Sequence, residues 1–409
     1  MDFLTTDLRK KHDCITGAYI GEFISALLLA TALFTVTFAV NLQAPLYNVY
    51  AVGSGVGVTA VTLAFAAYVA GLMPTLVLLG GLSDRVGRRI PMAAALLFGL
   101  IATFLLVIFP VWEALALARF MLGMGTGFAT TAGTAYMTEI LGEAKAKQAA
   151  LLVTSATSLG FGGGALATGI SLNLQGVTIV PTSFIALFIL ASALSVFVLF
   201  LPRVDVPKRV SLLRLPVFPP HTWPYGIGLA LAWSTTGMTI AVVPLQLEAQ
   251  GFAAYTGLVI FLSIFTGFLC QPFARRMRGR AALLVGYALV PLGFMALVVG
   301  FWSESIVLIL AGTCITSSAS YGFTYLSGLS EFSSRAPDDR ARATAGLFVY
   351  AYAGFSFPVI TSGALADMFG LLPAMGLFLA FLLTVSLFAV SIWRFQTRNA
   401  ETTESTGFG

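Results

Sequence analysis

Apolar residues along this chain gather into long runs at roughly 20–46, 57–80, 89–110, 112–138, 149–171 and 181–201, and again at 224–246, 255–274, 281–301, 305–330, 342–365 and 371–393. Each is close to the roughly 20 helical residues that cross a hydrocarbon core at about 1.5 Å of rise per residue. Inside a bilayer the backbone has to satisfy its own hydrogen bonds, so such runs read as helices. The pattern predicts an all-α membrane protein with twelve transmembrane helices. Pro202 to Trp223 divides the series six and six: it has no long apolar run, and it carries Arg203, Lys208, Arg209 and Arg214 among five prolines. The expected organisation is an N-terminal bundle (1–201), a linker (202–223), a C-terminal bundle (224–394) and a polar, disordered tail (395–409). The linker reads as a passive tether or as a regulatory segment.

Composition agrees with the pattern. Of 409 residues, 58% are hydrophobic and 10% charged, against about 25% charged in an ordinary soluble domain. Seventeen prolines and 41 glycines suit membrane helices, whose neighbours re-satisfy the freed backbone groups. The net charge of +5 is not a nucleic-acid footprint, because all but one of the 22 Lys and Arg fall in the two tails and in alternate loops. The positive-inside rule then puts both termini in the cytoplasm. Arg9, Lys10 and Lys11 ahead of an apolar run imitate a signal peptide, but the run is too long for a signal core and reads as the first helix. Cys14, Cys270 and Cys314 are scattered without CxxC spacing, so neither a disulfide framework nor a metal site is expected.

The two halves echo each other. Tyr136-Met137-Thr138-Glu139 closes the fourth run, as Glu331 closes the tenth after Tyr325; Gly164-Ala165-Leu166-Ala167 recurs as Gly363-Ala364-Leu365-Ala366. This is the signature of two pseudo-symmetric six-helix bundles. The echo fails at one place. Asp84-Arg85 in the first half faces Arg275-Arg276 in the second, followed by Arg278 and Arg280, so the cations survive and the carboxylate is lost.

That place is Gly80-Gly81-Leu82-Ser83-Asp84-Arg85-Val86-Gly87-Arg88-Arg89, wedged between two apolar runs, where five ionisable side chains fit only a membrane-surface turn. The order Gly-x-Leu-x-Asp-Arg-x-Gly-Arg-Arg resembles the loop between the second and third helices of the major facilitator superfamily of secondary transporters. The resemblance implies the major facilitator fold and a multi-pass protein of the bacterial inner membrane. It further implies that Asp84 meets the start of the eleventh helix, here Arg340 and Arg342, when the inner side closes. Glu139 would belong to the same cluster, with Arg85 and Arg89 in reach. The set Gly80, Asp84, Arg85, Gly87, Arg88, Arg89, Glu139, Arg340 and Arg342 is thus a candidate gate, or else a motif that only orients the loop.

Arg119 is the one cation inside a run, and a central Arg costs about 2.5–3.5 kcal/mol on the insertion scale. It faces a polar interior, or it snorkels to the outer interface. At 1.5 Å per residue, Asn41 and Arg119 sit at a common depth, roughly 10 Å below the outer surface. Arg119-Phe120-Met121-Leu122-Gly123-Met124-Gly125 also resembles the fourth-helix motif of proton-coupled family members. Gly160-Phe161-Gly162-Gly163-Gly164 resembles the antiporter motif, although Phe161 stands where that pattern has Pro; Gly123, Gly125, Gly160 and Gly164 are equally explained by close helix packing. The helices that line the centre in this superfamily supply further pathway candidates: Asn41, Gln43, Tyr136, Trp233, Gln246, Tyr321 and Tyr325, with Tyr68 on the second helix. Together they suit an amphipathic, largely uncharged substrate, or one with a single anionic group for Arg119.

Other classes fit poorly. Both histidines, His12 and His221, lie outside the runs, neither HExxH nor GxSxG occurs, and no Gly-x-x-x-x-Gly-Lys-Ser/Thr loop is present for an ATP-driven pump. The expectation is a secondary transporter, not an enzyme, without cofactor or metal. Its partners would be a small-molecule substrate and the bilayer, and it would act as a monomer. The resemblance points to the drug and metabolite efflux branch, with uptake of a metabolite or metal chelate as the alternative. Proton coupling stays open, since the first helix offers only Glu22 and Asn41.

Overall fold

The computed structural model describes residues 2–203, 213 and 215–406, with side chains described for 21–203, 213 and 215–396. Expectations for 204–212 and Arg214 of the linker, for the side chains of Arg9, Lys10, Lys11, His12 and Cys14, and for 407–409 lie outside the described residues.

The regular elements among the described residues are helical. The long ones are α1 (Asp2–Asn41), α2 (Val58–Leu78), α3 (Arg89–Ile108), α4 (Trp112–Leu141), α5 (Ala146–Gln175), α6 (Thr182–Phe200), α7 (Trp223–Ala241), α8 (Thr256–Ala274), α9 (Gly279–Trp302), α10 (Ile306–Ser334), α11 (Arg340–Phe369) and α12 (Leu371–Thr406). Among the described residues ten helices are long and apolar enough to cross a membrane, eleven if α7 and the short helix after it form one bent span. The remaining long helix, α4, is continuous, but Arg119 and a Gly- and Thr-rich middle break its apolar run, so its composition is less apolar. Ile101, Phe197, Leu387 and Phe388 point outward, an arrangement that suits lipid. Helix α12 continues to Thr406, where a disordered tail was expected; no Gly or Pro interrupts the chain between Arg394 and Thr406.

The opening helix of each half breaks at a proline. Proline lacks an N–H, and its ring crowds the carbonyl four residues back. Pro45 ends α1 at Asn41, and the chain continues as a 3-10 turn (Ala44–Leu46) and a helix over Tyr47–Ser54. Pro244 follows a 40° bend at Val242, after which a helix runs Val243–Ala249. Helix α10 carries a π-helical segment at Ser318–Thr324, where the Thr324 hydroxyl donates to Ala319 O at 2.7 Å.

Packing repeats with a period of six helices. Helix α1 packs on α5, α2 on α4, and α3 on α4 and α6; α7 packs on α11, α8 on α10, and α9 on α10 and α12. The halves meet where α2 lies on α11 and α5 on α8. The tightest crossings use glycine. A Cβ on Gly71 or Gly123 would strike Phe120 O or Tyr68 O between α2 and α4, and one on Gly160 or Gly164 would strike Thr37 or Phe38 O between α5 and α1. A Cβ on Gly125 would lie 3.0 Å from Ala95 O, between α4 and α3.

Candidate functional site

At the arginine-bearing end, Gly80 and Gly81 lead from α2 into a short helix, Ser83–Val86, and Gly87 turns the chain at φ +84°, a conformation that favours glycine. The turn delivers Arg88, not Arg85 or Arg89, to Glu139 at the end of α4. Arg88 Nη2 donates to Glu139 Oε1 at 2.7 Å and its Nε at 3.1 Å, while Nη1 donates to Asp84 Oδ1 at 2.6 Å and to Ser83 Oγ at 2.7 Å. Burial disfavours the Arg88 charge, but hydrogen bonds and charges from Glu139 and Asp84 outweigh it, and its pKa rises above the ordinary arginine value. Arg85 is exposed, and Arg89 donates to Leu199 O at 2.9 Å. Lys145 pairs with Glu22, which ties the start of α5 to α1.

The pair between Asp84 and the start of α11 is not made in this conformation. Arg342 Nη1 donates to Asp339 at 3.1 Å and its Nε to Leu215 O at 3.0 Å, while Arg340 lines a cavity below α8 and α10.

At the opposite end the halves are clasped. Helix α2 begins at Gly57, which has no side chain to cap its free N–H groups. Asp367, at the end of α11, does so from the other half: its carboxylate accepts from Val58 N at 2.7 Å, Thr59 N at 2.9 Å and the Thr59 hydroxyl. An anion at a helix N-terminus also meets a favourable dipole. A Cβ on Gly57 would come within 2.5 Å of Asp367 Oδ1, so glycine is needed for the fit. Nearby, Asn173 donates to Ala254 O at 3.0 Å, and Gly169 of α5 touches Gly257 of α8.

Arg119 is 1% exposed and does not snorkel. Its Nη1 donates to Val40 O at 2.7 Å and its Nη2 to Phe65 O at 3.4 Å, while the guanidinium lies 4.9 Å from the ring centres of both Phe65 and Tyr68. Among the described residues no carboxylate pairs with it. Asn41 is in the same layer but turned away, donating to Phe161 O at 2.9 Å, and Gln43 donates to Val40 O.

Deeper between the halves stands an aromatic cluster. Trp233 of α7 lies 5.7 Å from Tyr321, 5.1 Å from Tyr352, and 6.1 Å from both Phe348 and Phe355. Phe65 of α2 closes it across the halves, 4.7 Å from Phe355, and Tyr325 lies 6.4 Å from Phe348. The Trp233 indole N–H is buried without a partner among the described residues. Tyr321 sits inside the π segment, whose extra residue turns its carbonyl to Gln271 of α8 at 3.3 Å; such bulges recur at functional sites.

Two pathway candidates are elsewhere. Tyr136 is at the arginine-bearing end, donating to Pro202 O at 2.8 Å, because it lies one turn from Glu139. Gln246 is carried past the bend at Val242 on the short helix. Sequence reasoning missed Phe65, Phe348, Tyr352, Phe355 and Asp367. The spacing of Phe348, Tyr352 and Phe355 along one helix face was a usable signal; for Asp367 none existed, since its partners, two backbone N–H groups and the Thr59 hydroxyl, are some 300 residues away.

The sequence model described as Major Facilitator Superfamily matches residues 29–358. An uncharacterized MFS-type transporter, YfkF of Bacillus subtilis (strain 168), is 32% identical over 134 residues, which is 32% of this chain and 34% of that protein; the match thus spans about a third of the relative. Among solved structures, the nucleoside transporter NupG superposes with a TM-score of 0.70 at 13% identity, covering 90% of this chain and 98% of that one. A bacterial homologue of the human lysosomal transporter Spinster, in an inward-facing and unoccupied conformation, gives 0.69 at 15% identity, covering 91% and 97%. At these identities the likeness concerns the fold.

Proposed function

The chain belongs to the Major Facilitator Superfamily, and on that premise we propose that it is a secondary active transporter that exports a small amphipathic molecule by alternating access. One observation carries the reading. The halves are clasped at the Asp367 end, while at the other end the acids of the expected gate are satisfied inside their own half by Arg88. That is the arrangement of a transporter open on one side.

In this reading residues 1–201 and 224–394 are the two bundles, α4 is the twelfth span, and 202–223 and 395–409 lie in the cytoplasm of a bacterial cell. The Asp84 end is then the inner end, and the structure is inward-open. On closure Asp84 exchanges part of its contact with Arg88 for Arg340 or Arg342, and the Asp367 clasp opens. Substrate is held between Tyr68 and the cluster around Trp233, whose free N–H supplies a donor, with Arg119 as the nearby buried charge.

Transport of candidate compounds in proteoliposomes under an imposed pH gradient, in both orientations, tests direction and coupling together. Extrusion driven by protons supports export by antiport. Accumulation in the opposite sense establishes uptake, of a metabolite or a metal chelate, and overturns the export reading. Arg119→Met keeps an apolar stem and gives up every donor. Loss of transport with unchanged thermal stability supports a role in the pathway, and transport at the parental rate and affinity removes Arg119 from it.

A further inference from the structure

The halves treat one corner of the arginine-bearing end differently. In the first half, the corner bounded by the end of α2, the turn before α3 and the end of α4 is filled by Arg88, Asp84, Ser83 and Glu139. In the second, the corner bounded by the end of α8, the turn before α9, the end of α10 and the start of α11 is a cavity of about 560 Å³, within the range of about 300–1,000 Å³ usual for small-ligand clefts. Arg275 and Arg340 line it, with Ser330 and Ser333 and the apolar Met277 and Leu326. Among the described residues neither arginine has an ion pair, nor do Arg276, Arg278 and Arg280 in the same turn. Of the nearby acids, Glu331 is engaged by Arg335 at 2.6 Å and Asp339 by Arg342 at 3.1 Å, while Asp338 is exposed and not among the residues that line the cavity.

We propose that this cavity binds a phosphate-bearing anion, at a site that shares Arg340 with the gate of the reading above but lies outside the substrate pathway and does not need that reading to hold. Unneutralised cations that converge on one concave surface raise its potential and concentrate anions. Guanidinium forks match phosphate oxygens in geometry as well as charge, and the hydroxyls of Ser330 and Ser333, which make no hydrogen bond among the described residues, can donate to the remaining oxygens. The cavity lies at the ends of apolar helices, and Met277 and Leu326 give it an apolar wall, which suits the glycerol and upper acyl region beside a headgroup. The phosphate can come from an anionic phospholipid or from a soluble compound.

The test compares the full-length protein with the double variant Arg275→Gln/Ser330→Ala, both positions being exposed and removed from the core, and with Arg335→Gln, which removes a cation already engaged by Glu331. Native mass spectrometry of protein extracted from membranes containing phosphatidylglycerol reads retained lipid, and titration of inorganic phosphate onto delipidated protein reads the soluble source. A loss of retained phosphatidylglycerol by about tenfold in the double variant, against less than about twofold in Arg335→Gln, supports the site with lipid as its source. Saturable phosphate binding to the delipidated parent that is lost in the double variant supports it with a soluble source. Equal lipid retention in all three proteins, together with no phosphate binding that depends on Arg275 and Ser330, overturns it.

Discussion

The corner around Arg88 and its counterpart around Arg275 have the same helical surroundings and opposite chemistry. In the first, one buried guanidinium spends all three nitrogens on two carboxylates and a hydroxyl. In the second, Arg275 and Arg340 line a cavity and make no ion pair among the described residues. The packing pairs that frame the two corners repeat from half to half, so the backbone plan does not depend on which polar groups fill it. Apolar packing between helices holds each bundle, and polar residues at its ends are free to diverge into a lock on one side and an open basic surface on the other.

The contrast breaks most readily at Arg88. Removing it takes away the guanidinium that Asp84 and Glu139, both partly buried, share. Such a loss costs about 3–5 kcal/mol for a fully buried pair, and about 2–4 kcal/mol is expected for Arg88→Ala after allowing for partial exposure. Arg276→Ala, in the unpaired corner, should stay within about 0.5 kcal/mol. Thermal or denaturant unfolding of the purified protein compares them, and equal losses would mean that the two corners do not differ energetically.

Asp367→Asn keeps the volume of the clasp and removes its charge. A charge-assisted contact is worth enough to move a two-state population about tenfold, or about 1.4 kcal/mol. The variant should populate the form open at the Asp367 end, seen as faster labelling of a cysteine placed at Thr62. Unchanged labelling would show that apolar contacts such as Phe65 on Phe355 hold that end alone.

The smallest expected effect converts one corner toward the other. Ser330→Glu offers a carboxylate to Arg275 and Arg340 near the surface, where an ion pair contributes about 0.2–1 kcal/mol. A small rise in melting temperature is expected, together with less bound phosphate. A fall in stability would show that the cavity does not bring these groups within reach of one another.

Much of this was legible in the sequence, because the dominant signal for a membrane helix is a long apolar run, and the boundaries of α2, α3, α6, α8 and α9 follow from it directly. The loop from Gly80 to Arg89 was legible as a turn rich in ionisable groups. Which arginine reaches Glu139 was not: Arg85, Arg88 and Arg89 are equivalent as letters, and the left-handed turn at Gly87 selects among them. The bend at Val242 had a visible cause in Pro244. The π segment around Tyr321 had none, because its register is set by contacts with α7 and α8, such as Thr236 on Ser320 at 2.9 Å. Asp367 was hidden because it caps a helix that begins far away in the chain, and composition carries no trace of such a pairing.

The central claim is that the two halves rock about the layer of Arg119 and Trp233, so that one end closes as the other opens. With the native cysteines replaced by serine, spin labels at Glu143 and Asp338 report the gap between halves at the arginine-bearing end, and labels at Val177 and Tyr255 report it at the clasped end. Across added substrate, or on introducing Asp367→Asn, the account predicts that the first distance shortens while the second lengthens. Distances that change in the same sense, or a second distance that stays fixed while transport proceeds, would contradict it.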